Sequence, residues 1–277
     1  VIVRDGKPAG ELPGLVDPDL NDLALRPTEH FTLQTPDGDT LHGARLLPRK
    51  ITGKHPAIVM VYGGPEAQLV FDVWSPRLMW QHLADRGFVV IQIDNRGSGG
   101  QGPAFAQKVH KQLGRLELDD QLAAARYLAK LPFVDPSRIG IYGHSYGGFM
   151  AALAMLDPRT NSVFKAGVAG SPVTDWRLYD TGYTERYMET PQSNAAGYEA
   201  SDLAKKASGL QGKLLITHAM MDENVHYAHT AKLVDALIGA NKHFDLLVLP
   251  GERHDLRAPN ARTYMPERIA AFFANNL

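Results

Sequence analysis

The sequence predicts an α/β fold, a mostly parallel twisted sheet with helices on both faces. Two patterns predict it. Short, β-branched apolar runs alternate with stretches of helical periodicity, and a G-x-S-x-G motif sits between one such run and a packed helix.

Taken in order, residues 1–29 carry Pro8, Pro13, Pro18 and Pro27, which disfavour continuous helix and predict an extended connector from an upstream domain. The start, Val1-Ile2-Val3-Arg4-Asp5-Gly6, has no methionine and no basic n-region, so the chain reads as cut from something longer. Residues 30–277 read as one catalytic domain. Segments 31–33 and 40–46 flank Pro36-Asp37-Gly38-Asp39, the pattern of a hairpin with a glycine-bearing turn. The rhythm then changes. Runs at 57–62, 88–93, 138–142, 164–168, 213–217 and 244–249 predict the parallel strands. Apolar residues at three- and four-residue spacing predict helices over 116–131, 149–156, 226–239 and 263–275. No internal repeat or low-complexity tract interrupts them.

Composition bounds the function classes. With 277 residues, 44% of them hydrophobic, the chain fills one large domain rather than two. A net charge of −1 gives no electrostatic reason to expect nucleic acid or an anionic membrane as partner. No stretch reaches the ~18 consecutive apolar residues of a membrane span. The absence of cysteine excludes disulfides, cysteine nucleophiles and thiolate metal sites. It favours a cytoplasmic setting and leaves a periplasmic one open.

The chemistry gathers around Gly143-His144-Ser145-Tyr146-Gly147-Gly148. The run before it reads as a buried strand and the run after it as a helix, so Ser145 falls on a strand-to-helix turn. Gly143 and Gly147 remove side chains that would collide across so tight a turn, and the helix N-terminus favours developing negative charge. A serine hydroxyl needs a neutral imidazole to take its proton and a carboxylate to orient that imidazole. In α/β-hydrolases the chain order is serine, acid, histidine, the last two on loops after later strands. Asp222 follows the 213–217 run and His254 the 244–249 run, so both are expected at the same sheet edge as Ser145. Spacing alone does not separate Asp222 from Glu223, nor exclude Asp255. Among the 11 histidines only His254 combines the chain order with a post-strand loop; His226 and His229 are read onto a helix.

Several blocks resemble the catalytic domain of the prolyl oligopeptidase family, in its dipeptidyl peptidase IV branch and nearest the intracellular dipeptidyl peptidases. They are Val61-Tyr62-Gly63-Gly64-Pro65, Asp94-Asn95-Arg96-Gly97-Ser98-Gly99, Gly143 to Gly148, Tyr179 to Met188, and Asp222-Glu223-Asn224-Val225-His226. The resemblance runs from about residue 30 to the C-terminus and implies the α/β-hydrolase fold. It implies Ser145 as nucleophile, Asp222 as acid and His254 as base, with the Tyr62 hydroxyl and the Tyr146 amide as oxyanion donors. It assigns residues 171–210 to a specificity segment, with Val173, Trp176, Tyr179, Tyr183 and Val225 walling an apolar S1 pocket suited to proline. Asn224 would hold the carbonyl of the preceding residue.

The activity implied is release of N-terminal X-Pro or X-Ala dipeptides through an acyl-enzyme, from a peptide substrate with proline at P1. A homodimer through the hydrolase domain is implied as well. The family's N-terminal β-propeller, whose paired glutamates grip the substrate amine, is missing from this chain. That leaves open a broad esterase or endopeptidase with an open cleft, and a catalytically silent interaction domain.

Two further signals are discounted. Gly97-Ser98-Gly99-Gly100-Gln101-Gly102 satisfies G-x-G-x-x-G, but Pro103 follows it and no acid closes a second strand about 20 residues on, so no nucleotide cofactor is expected. His226 and His229 lack a third ligand, so no metal is expected.

Overall fold

The structure is a computed structural model that describes residues 2–10, 20 and 23–277. Strands β1 (Ile2–Arg4) and β2 (Lys7–Gly10) pair antiparallel in a small hairpin within the stretch read as an extended connector. Pro13 and Pro18 of that connector lie outside the described residues. From β3 (Glu29–Gln34) and β4 (Thr40–Leu46), the predicted hairpin, the chain enters β5 (His55–Met60), α1 (Leu78–Asp85), β6 (Val89–Ile93), α2 (Pro103–Ala106) and α3 (Arg115–Lys130). It continues through β7 (Val134–His144), α4 (Tyr146–Leu156), β8 (Phe164–Gly170), α5 (Thr181–Met188) and α6 (Ala195–Ser201). The last elements are β9 (Lys213–Ala219), α7 (Ala228–Gly239), β10 (Asp245–Leu249) and α8 (Pro259–Asn276).

Eight strands form one sheet in the order β10-β9-β8-β7-β5-β6-β4-β3. Pairing is parallel from β6 across to β10, and antiparallel where β4 meets β6 and β3. The alternation of strand side chains divides the core between two faces. Ala57 and Val59 of β5, with Val89, Ile91 and Ile93 of β6, join Leu118, Phe149 and Leu233 of α3, α4 and α7. Ile58 and Met60, with Val90, join Trp80, Leu83, Ile269 and Phe273 of α1 and α8. Strands buried on both faces read as near-continuous apolar runs, and these do apart from Gln92, a buried polar residue within β6.

The order reverses around β5, whose neighbours are β6 on one side and β7 on the other. In an open α/β sheet such a switch leaves a crevice at the C-terminal strand ends. Tyr62 follows β5 and Ser145 follows β7, so the crevice brings them together.

Some details depart from the expected elements. Strand β7 reaches back to Val134, with a register shift against β5. Helix α8 begins at Pro259, because a proline in the first turn lacks only an N–H that has no helical partner there. Helix α7 begins at Ala228, so His226 lies before it. His226 is exposed and His229 fully buried, its Nδ1 accepting from the Thr174 N–H at 3.1 Å; the two rings do not share a helical face. Gly99, in the loop after β6, serves close packing: a Cβ there would meet the Glu66 carbonyl oxygen at 2.6 Å. Arg96 in the same loop is pinned to Asp120 of α3, with Nη2 to Oδ1 at 2.8 Å and its N–H to Oδ2 at 2.7 Å.

Candidate active site

Ser145 caps α4 with φ 62° and ψ −121°, a backbone region L-residues rarely adopt. Two glycines make this turn possible. A Cβ on Gly147 would collide with the Val61 carbonyl oxygen, and one on Gly143 would collide with Gly147 and Val61. The Ser145 N–H donates to the Gly170 carbonyl at 2.8 Å, and the Phe149 N–H to the Ser145 carbonyl at 3.0 Å. The hydroxyl is thus held at the end of β7, over the first turn of a helix.

The structure brings Ser145, His254 and Asp222 into one hydrogen-bonded line. Ser145 Oγ lies 3.0 Å from His254 Nε2, and His254 Nδ1 lies 2.8 Å from Asp222 Oδ2. The tautomer consistent with both bonds has Nδ1–H donating to the carboxylate and Nε2 free to accept the serine proton. Asp222 Oδ1 accepts from the Asn224 and Val225 N–H groups at 3.0 and 2.8 Å. Burial alone would push this carboxyl up, but the His218 and His254 imidazoles and the amide donors hold it well below the ordinary carboxylate range.

The rival carboxylates stand apart. Glu223 is exposed, with Oε1 facing Arg253 at 3.5 Å and Oε2 accepting from the His254 backbone N–H at 3.4 Å. Asp255 is exposed at the cleft wall. Tyr62, His144, Ser145, Asn224, His254 and Asp255 share the lining of a cleft of about 420 Å³. A larger hollow of about 540 Å³ lies beside β3 and β4, and none of the three bonded residues lines it.

The aromatic residues expected to wall S1 form one cluster. Trp176 and Tyr183 stack with centroids 6.0 Å apart, and Tyr179 meets them edge-on at 5.9 and 5.5 Å. The Tyr179 hydroxyl donates to Asn224 Oδ1 at 2.6 Å, so the Asn224 amide NH₂ remains free to donate. Val173 and Val225 are buried in the same core cluster. Tyr62 and Tyr146 approach ring to ring at 6.1 Å, and burial pushes the Tyr62 hydroxyl above its usual range.

Three residues near the site were not singled out from sequence. His144 lies against His254, ring centroids 4.8 Å apart, with Nε2 3.1 Å from the His254 carbonyl oxygen. Burial, with His254 beside it, pushes His144 down to about 4, so near neutral pH it is an uncharged donor. His218 lies behind Asp222, with Nε2 3.4 Å from Oδ2 and 2.8 Å from the Val225 carbonyl oxygen, and Nδ1 2.7 Å from Thr230 Oγ1. Its four-residue offset from Asp222, just past the strand, was the available signal. Glu117 is wholly buried beneath Tyr146; its place three residues after Gly114 signals only a helix cap.

Comparison with known proteins comes to the same region. Residues 74–277 match the prolyl oligopeptidase family. The chain is 38% identical to human dipeptidyl peptidase 8 over 259 residues, which is 91% of this chain and 29% of the relative. It is 42% identical to a probable dipeptidyl peptidase 4 of Aspergillus clavatus over 227 residues, 79% of this chain and 29% of the relative. The crystal structure of Porphyromonas gingivalis dipeptidyl peptidase 4 superposes with a TM-score of 0.86 at 39% identity, covering 91% of this chain and 36% of that one. The chain therefore spans about a third or less of the length of these relatives.

Proposed function

Because the chain belongs to the prolyl oligopeptidase family, as a relative of its dipeptidyl peptidases, we propose that it hydrolyses the peptide bond after proline through an acyl-enzyme formed on Ser145. The observation that carries this reading is the hydrogen-bonded line from Ser145 through His254 to Asp222, at 3.0 and 2.8 Å.

On this reading Ser145 Oγ attacks the carbonyl carbon while its proton passes to His254 Nε2. The oxygen that becomes negative is met by the Tyr62 hydroxyl and the Tyr146 N–H at the positive end of α4. His254 returns the proton to the leaving amine as the C–N bond breaks, leaving an ester on Ser145. A water molecule then attacks that ester with His254 again as base. Asp222 keeps its charge throughout and stabilises the imidazolium.

The packed faces of Trp176, Tyr179 and Tyr183 support a flat apolar pocket for the proline ring, and the free NH₂ of Asn224 supports a donor to the preceding carbonyl. X-Pro dipeptide release is the activity proposed, with X-Ala tolerated.

The test is hydrolysis of Gly-Pro-p-nitroanilide beside p-nitrophenyl acetate. Turnover of the proline amide is the expected result. Ester turnover without amide turnover would replace the reading by a broad esterase using the same residues, and failure of both would leave an interaction domain. Tyr62→Phe is expected to lower kcat by about 10² to 10³ with KM little changed, since the lost donor serves an oxygen charged only in the transition state. An equal rise in KM would instead place Tyr62 in ground-state binding.

A further inference from the structure

Tyr146 offers the proposed oxyanion hole its backbone N–H alone; the side chain turns into the core. It is 2% exposed and packs on Phe149 at 5.4 Å and Trp176 at 5.3 Å. Its hydroxyl donates to Glu117 Oε1 at 2.8 Å. Glu117 has no exposure at all, and the Gly114 N–H at the start of α3 donates to the same oxygen at 2.9 Å. The other oxygen, Oε2, is buried and has no hydrogen-bond partner among the described residues. A buried carboxyl left half unsatisfied is costly, and capping α3 requires only the bond to Gly114. The second bond reaches the residue next to the candidate nucleophile.

Resting on the reading that the Tyr146 amide is an oxyanion donor, we propose that Glu117 is a positioning residue of the oxyanion hole. Through the Tyr146 hydroxyl it fixes the first turn of α4 and ties that turn to Tyr62.

The coupling to Tyr62 is steric. Gly64 lies between the two tyrosines, where an added Cβ would stand 2.7 Å from the Tyr62 ring and 3.3 Å from the Tyr146 ring. A shift of Tyr146 would therefore be felt by both donors. The turn being held is also the strained one, with Ser145 at φ 62°. Glu117 touches neither substrate nor reacting atoms; it acts through Tyr146.

Its charge state matters for the same reason. Burial pushes the Glu117 carboxyl up to about 7, Asp120 on α3 adds to the rise, and the bonds from Gly114 and Tyr146 oppose it. Tyr183 of α5 also faces it. The carboxyl is thus neutral below about 7 and anionic above. An anion behind the amide opposes the negative charge the amide has to stabilise, so kcat declines as pH rises through that value.

The experiment measures kcat and KM for p-nitrophenyl acetate on the full chain, its Tyr146→Phe and its Glu117→Gln variants. It spans two pH units either side of about 7, with thermal melts and fluorophosphonate labelling of the nucleophile in parallel. Tyr146→Phe is expected to lower kcat about tenfold at unchanged KM, the upper end of what one buried hydrogen bond between neutral groups contributes. It should also move the alkaline decline to higher pH, because the hydroxyl that favours the ionised carboxyl is gone. Glu117→Gln keeps an oxygen that accepts from Tyr146 and is expected to abolish the decline.

Folded variants with the parent's kcat and pH profile overturn the proposal, and so does a decline that survives in Glu117→Gln. Should Glu117→Gln not fold, Tyr146→Phe, which removes a single oxygen, decides. A parent chain that neither labels nor hydrolyses the ester overturns the serine-nucleophile reading and this proposal with it. A parent chain that does both while the variants match it overturns this proposal alone.

Discussion

Replacing Ser145 by alanine is expected to lower kcat for both the ester and the proline amide by roughly 10⁵ to 10⁶, leaving the residual rate that binding and the oxyanion donors supply. The substitution removes one oxygen. The Ser145 backbone bonds to Gly170 and Phe149 involve no side chain, so the fold should be retained and the melting temperature should stay close to that of the parent. The strained φ of 62° is no harder for alanine than for serine. Covalent labelling by a fluorophosphonate should vanish along with activity. A Ser145→Ala protein that still turns over substrate at a tenth of the parent rate would mean that another group is the nucleophile.

Asp222→Asn is the second large effect, a fall in kcat of about 10⁴ with the geometry nearly intact. The carboxylate accepts from His254 Nδ1 and from two backbone amides, and so needs acceptors on both oxygens. An asparagine keeps one acceptor and presents an NH₂ at the other position. If that NH₂ faces His254, the imidazole must turn its unprotonated nitrogen toward it, and Nε2 then carries the proton and cannot accept one from Ser145.

The same group bears on acid stability. Its folded-state pKa lies below the ordinary value, so its contribution is present in full above the ordinary carboxylate range and is lost progressively as pH falls from that range through the folded value. Asp222→Asn should therefore flatten the most acid part of a stability profile. Unchanged kcat in Asp222→Asn, with the parent's pH dependence, would remove Asp222 from the mechanism and return Glu223 to consideration.

Much of this molecule is legible along the chain because its determinants are local. The central runs of β5 to β9 are largely apolar, since both faces of the middle of the sheet are covered, while β10 at the edge is only half-buried. The turn at Ser145 is written in Gly143 and Gly147, which stand where any Cβ would strike backbone. Chain order placed Asp222 and His254 after the right strands because an α/β sheet delivers the loops after its parallel strands to one edge. The helices α1, α5 and α6 were less legible. Each is eight residues or shorter, and the polar and aromatic residues of α5 and α6 carry no apolar stripe long enough to set a period.

The sequence by itself determined the doubly covered central sheet, the glycine-flanked turn at Ser145 and the candidate acid and base, because period, glycine placement and chain order act between near neighbours. Local spacing left Asp222, Glu223 and Asp255 open and the family resemblance favoured Asp222; the tertiary structure puts Asp222 at 2.8 Å from His254, stands His144 against His254 and His218 against Asp222, and lays the buried Glu117 under Tyr146. Those choices depend on side-chain direction across strands and helices brought together from distant parts of the chain: 32 residues separate Asp222 from His254, and 29 separate Glu117 from Tyr146. Adjacent carboxylates such as Asp222 and Glu223 are equal in any local pattern. They become unequal when the loop turns one into the buried line with His254 and the other out toward solvent.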